Sequence, residues 1–109
     1  MRVWVVGAGQ AGTQTIRQLQ KNEDITIIVS DASTAPRAVT EKVIEAVDYV
    51  ETVSPANINS LGRRIRPDLI LIDPSAEGRN LSGVTGAGNF MRALSNEIAL
   101  SSDYPCLIL

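Results

Sequence analysis

The sequence predicts an α/β domain, doubly wound, whose five-stranded parallel sheet has the order 3-2-1-4-5. Three observations carry this reading. Short apolar runs alternate with longer amphipathic stretches in the pattern β-α-β-α-β-α-β-α-β, and strands joined by helical crossovers run parallel with both faces covered. The 109 residues, 44% hydrophobic and 20% charged, make one domain, 1–109, able to form a core without staples. Right-handed crossovers leave few arrangements, and the one expected puts the switch point between strands 1 and 4.

Each element has a local reason. Residues 3–6 are an apolar run bounded by glycine, a strand buried on both faces. Residues 10–21 follow as a helix with Ala11, Ile16 and Leu19 on one side. A second β-branched strand covers 25–29. Ser33, Thr34 and Pro36 signal a helix start, and Val39, Val43 and Ala46 keep the helical period. The third strand is expected over 48–53. Ser54-Pro55 opens the next helix with a capping oxygen and then a proline where no N–H is needed. Ile58, Leu61 and Ile65 form its stripe, and Pro67 ends it. The fourth strand, 69–72, is closed by Asp73-Pro74. A polar, glycine-rich stretch spans 75–88. Asn89 is then expected to precede a helix carrying Phe90, Leu94 and Ile98, and 105–109 make the fifth strand.

The absences narrow the chemistry. Without histidine there is no imidazole acid–base group, no Ser-His-Asp or Cys-His nucleophile and no His-bound zinc. One cysteine, Cys106, forms neither an intrachain disulfide nor a CxxC site. A net charge of −2 and a pI near 5.0 provide no field favouring nucleic acid or an anionic membrane. The apolar runs are far too short to span a bilayer, and the first residues enter a strand pattern at once. The expectation is therefore a cytoplasmic protein with neither membrane span nor signal peptide.

One motif carries chemistry. Gly7-Ala8-Gly9-Gln10-Ala11-Gly12 is a GxGxxG that follows a strand and opens a helix, and Asp31 ends strand 2 nineteen positions after Gly12. Gly7 allows the tight turn, Gly9 lets backbone approach a pyrophosphate, and Gly12 lets the helix pack hard against the sheet. The helix start at Gln10 and Ala11 offers N–H donors and a positive dipole end to phosphates. Asp31, with Ala32 beside it, is placed to accept both hydroxyls of a ribose. The same carboxylate would repel a 2′-phosphate, so the expected cofactor is NAD(H), with ATP or ADP as the further possibility and NADP disfavoured. The bland alternatives stay open: glycines that only make a turn, and an Asp31 that only caps the next helix.

Other features carry two readings each. Gly83, Gly86 and Gly88 make either a lid over the ligand or a surface loop. Asp73, at the crevice end of strand 4, either polarises a ligand group or makes the turn with Pro74. Arg63, Arg64 and Arg66 read as a solvated helix end rather than a nucleic-acid patch. Trp4 and Cys106 read as core. No residue is expected to be catalytic or to bind metal.

The segment Met1-Arg2-Val3-Trp4-Val5-Val6-Gly7-Ala8-Gly9-Gln10-Ala11-Gly12, together with residues 25–31, resembles the TrkA-N domains, also called RCK or KTN domains. These are cytoplasmic nucleotide-binding modules of potassium transporters and channels. The resemblance implies a Rossmann-type fold and an NAD(H) or adenine-nucleotide site at Gly7, Gly9, Gly12 and Asp31. It also implies a dimer, or a partner domain such as a membrane transporter, that responds to ligand. It covers residues 1–31 and is topological afterwards. Glu77-Gly78-Arg79-Asn80 is a partial echo of the family's stretch after strand 4, which Gly83 to Gly88 then interrupts. Saccharopine-dehydrogenase-like oxidoreductases begin with a similar cofactor domain. FAD monooxygenases share the glycine loop but usually place Glu after strand 2. The expected function is a regulatory, ligand-sensing module. The alternative is the cofactor domain of an NAD-dependent oxidoreductase whose substrate domain lies outside these residues. The only lysines, Lys21 and Lys42, fall at helical positions away from the crevice, so catalysis by this chain alone is not expected.

Overall fold

A computed structural model of the chain describes residues 1–75 and 87–109. In chain order its elements are β1 (Arg2–Val6), α1 (Gln10–Leu19), β2 (Thr26–Asp31), α2 (Arg37–Thr40), β3 (Tyr49–Val50), α3 (Ile58–Ile65), β4 (Leu69–Ile72), α4 (Ala87–Ser101) and β5 (Cys106–Ile108). The strands form one sheet in the order β3-β2-β1-β4-β5, and every adjacent pair is parallel. Val5 lies opposite Val29 on one side and Leu71 on the other, which makes β1 the sheet's central strand.

Side chains that alternate along the strands feed two separate cores. Trp4 and Val6, with Ile70 and Ile72, meet Ile58, Leu61 and Ile65 of α3 and Ile98 of α4. Val3 and Val5, with Val29 and Leu71, meet Ile16 of α1 and Ala38 of α2. The helices therefore flank the sheet on both faces in a doubly wound, Rossmann-like arrangement. Each aliphatic side chain closed off this way is worth about 1.5–3 kcal/mol over its exposed state. The Trp4 indole adds a polar requirement, which Ser30 Oγ meets by accepting from Nε1 at 2.9 Å.

Several boundaries differ from the sequence expectation, each for a visible reason. The α2 helix is a single turn instead of a helix reaching Ala46. Lys42 adopts a left-handed φ of 61°, and Lys42 N–H donates to Val39 O while Val43 N–H donates to Ala38 O, a closing motif that turns the chain out of the helix. The start signal also resolves differently. Ser33 Oγ accepts from Ala35 N–H at 3.1 Å, and Pro36 occupies the cap position. β2 runs to Asp31, and β3 is two residues long rather than six. At its start the Asp48 carboxylate accepts Val29 N–H at 2.8 Å in place of a backbone carbonyl.

The first turn before α3 does begin at Ser54, whose carbonyl accepts from Ile58 N–H at 3.0 Å. The side chain that locks it is Asn57, which accepts Ser54 N–H at 2.7 Å. Asn89 lies inside α4 rather than ahead of it, as does Gly88. Gly83, Gly86 and the 77–80 stretch lie outside the described residues.

Candidate functional site

Because β1 is bordered by β2 on one side and β4 on the other, the chain leaves the ends of β1 and β4 toward opposite faces. The α1 helix belongs to one core and α4 to the other. The carboxyl ends of β1 and β4 thus open a crevice at the topological switch point, the place where doubly wound sheets bind ligands. The glycine loop, residues 7–12, stands at this crevice.

The loop is built from within. Gly7 has φ 92°, a conformation that a side chain would strain, and its N–H donates to Ser30 O at 2.7 Å. Ala8 N–H donates to Asp31 Oδ2 at 2.8 Å. Ala8 O in turn accepts from Thr13 Oγ1 at 3.2 Å and from Ala38 N–H at 3.3 Å. Gly9 is the cap residue of α1, and its carbonyl accepts Thr13 N–H at 2.9 Å. At Gly12 a Cβ would collide with Gly7 O and stand 3.0 Å from Asp73 Oδ2. The glycine is required there by close packing, as the motif implies.

The two acidic candidates are bound to the protein's own backbone. Asp31 is 3% exposed; besides Ala8 N–H it accepts Ser33 N–H on Oδ1 at 2.9 Å. Ala32 is half-buried between these bonds. Asp73 is wholly buried. Its Oδ2 accepts Gly12 N–H at 2.7 Å, and its Oδ1 accepts Ser75 N–H at 2.8 Å and the Ser75 hydroxyl at 2.5 Å. Asp73 is therefore a fixed anion at the start of α1, where the helix dipole favours one. It makes its turn with Ser75 as well as with Pro74, a role that the Asp-Pro-Ser sequence could have signalled.

These contacts sort the donors at the start of α1. Gly12 N–H is taken from inside by Asp73. Ala11 N–H faces Ser75 Oγ at a long 3.4 Å. Gly9 and Gln10 N–H groups meet no acceptor among the described residues. Among the described residues, the outer side of the loop keeps the polar capacity that a helix start leaves unsatisfied.

The remaining candidates fall elsewhere. Arg63, Arg64 and Arg66 are exposed at the end of α3; the Arg64 guanidinium lies 5.6 Å from the centre of the Tyr49 ring, and Arg66 takes a left-handed φ of 55° as the cap. Trp4 is buried core. Cys106 is half-buried, and burial pushes its thiol up to about 11, which leaves it a protonated, unreactive side chain at neutral pH.

Sequence reasoning did not find Thr13, Ser75 or the side chains flanking the loop on α1 and α2. Among the described residues there is no cluster of three metal-ligating side chains, and no helix is long and apolar enough to cross a membrane. Comparison with known proteins finds no matching family model, no matching curated protein and no matching solved structure.

Proposed function

We propose that this chain is a nucleotide-binding regulatory module that takes an adenine dinucleotide of the NAD(H) type, or ATP or ADP, by its phosphates at residues 7–12. The observation that supports this most directly is the pair of N–H donors, Gly9 and Gln10, that meet no acceptor among the described residues, at a helix start beside the switch-point crevice. A diphosphate lying over Gly9 would accept from these donors and displace the weak Ser75 contact at Ala11. Asp73 limits the site, since its carboxylate holds the inner donor and repels an approaching phosphate. A sensing role fits a chain without histidine, whose only lysines, Lys21 and Lys42, are exposed and take no part in the loop. Occupancy would pass to a second copy or a partner domain in the cytoplasm, by way of the α1 and α2 contacts that radiate from Ala8.

Thermal unfolding against NAD⁺, NADH, NADP⁺, ATP and ADP tests the proposal. A ligand at ~100 times its Kd adds about 2.7 kcal/mol, a shift of several degrees for a domain of this size. The Gly9→Val chain should keep its own melting temperature and lose the shift. Equal shifts in both chains would place any ligand elsewhere, and no shift with any nucleotide would leave the glycine loop as a turn.

A further inference from the structure

Beside the glycine loop, Gln10, Thr13, Gln14 and Arg17 of α1 and Arg37 and Glu41 of α2 and its cap line a hollow of about 160 Å³. We propose that this hollow is a phosphomonoester subsite, and that the dinucleotide taken by the loop carries a phosphate on its adenosine ribose. The inference rests on the nucleotide reading above and reverses the charge preference expected from Asp31.

Four observations support it. First, the hollow shares Gln10 with the loop and adjoins Ala8, whose carbonyl holds both Thr13 and Ala38. It therefore lies on the β2 side of the loop, toward which the adenosine half of a bound dinucleotide extends. Second, two guanidiniums line it and share one carboxylate, so the cluster keeps one net positive charge. Arg17 Nη2 meets Glu41 Oε1 at 3.2 Å, and Arg37 Nε meets Glu41 Oε2 at 3.3 Å. Each arginine commits one nitrogen and keeps its other donors free of partners among the described residues, in the fork geometry that suits phosphate oxygens.

Third, the size suits one tetrahedral oxyanion. At ~30 Å³ per water, 160 Å³ holds about five waters, which is ample for a phosphate group. Fourth, the carboxylate expected to repel a 2′-phosphate is turned inward. Asp31 is 3% exposed, and both its oxygens are bound to backbone N–H groups. The short α2 makes the arrangement possible, because its closing turn at Lys42 leaves Glu41 as the cap residue facing both arginines.

Calorimetric titration of the intact chain with NADP⁺ and NAD⁺ decides the matter, with circular dichroism confirming that each variant is folded. NADP⁺ should bind at least tenfold more tightly than NAD⁺. Arg37→Gln and Arg17→Gln should each bring that ratio down toward one, and Glu41→Gln, which releases both guanidiniums, should raise it. Inorganic phosphate should compete with NADP⁺ more strongly than with NAD⁺. NAD⁺ binding as tightly as NADP⁺, or Arg37→Gln weakening both dinucleotides alike, overturns the subsite while leaving the glycine-loop reading intact. Binding of neither dinucleotide overturns both.

Discussion

At Gly12, one hydrogen in place of a methyl group decides whether α1 can approach the sheet. Gly12→Ala drives a Cβ into Gly7 O and against Asp73 Oδ2. Overpacking of this kind costs about 1–3 kcal/mol, which urea unfolding would read as a lower midpoint at unchanged slope. Asp73 plays two opposed parts, since it caps the helix start and repels any phosphate that comes there. Asp73→Asn should therefore lose about 1–3 kcal/mol of stability while tightening nucleotide binding severalfold, two changes of opposite sign measurable on one variant.

Cys106 offers a pH test at the same scale. Its thiol ionises near 9.0 when unfolded and only near 11 when folded. Between those values the unfolded chain releases a proton that the folded chain keeps, so Cys106 makes stability fall as pH rises from about 9 to 11. Comparison with Cys106→Ala across that interval isolates the effect, and alkylation at pH 8 should be slow until urea is added.

Among the elements, α2 shows how tertiary contacts end a helix whose periodic pattern continues. Val39, Val43 and Ala46 keep helical spacing, yet Ala38 O accepts from both Val43 and Ile44 N–H groups, at 2.9 and 3.1 Å, and the chain turns away at Lys42. Thr40, Val43 and Ile44 are β-branched, which lowers their helix propensity only slightly. Lysine bears a left-handed backbone that glycine would adopt without a Cβ clash. Lys42→Gly should stabilise the domain by about 1 kcal/mol, seen as a higher thermal midpoint. The α3–β5 side is joined differently. Asn59 donates to Ser101 O at 2.8 Å and accepts Asp103 N–H at 2.7 Å, fastening α3 to the end of α4. No periodicity announces such a residue, since its partners lie 42 and 44 positions away.

For the whole molecule, one sheet serves two cores, and this couples them. Ile16 and Ile98 lie on opposite faces, both wholly buried, and each packs on side chains of β1 and β4. Removing either should cost about 2–5 kcal/mol. Because neither core can be lost while the shared strands persist, Ile16→Ala and Ile98→Ala should each lower a single unfolding midpoint, by circular dichroism and by Trp4 fluorescence alike. Separate transitions by the two probes would mean that the faces unfold independently.

The order of strands and helices, the strand order of the sheet and the position of the glycine loop were legible in the sequence. They depend on apolar runs, on period and on turn residues close together in the chain, and the right-handed crossover turns that local information into a topology. Tertiary structure alone decided what the loop's acidic residues do. Asp31 meets Ala8 from 23 positions away and Asp73 meets Gly12 from 61. A carboxylate in a sequence has the same charge whether it will face solvent or a buried N–H. Only the folded backbone determines which donors it reaches, because an N–H closed off from water must find an acceptor wherever the fold provides one.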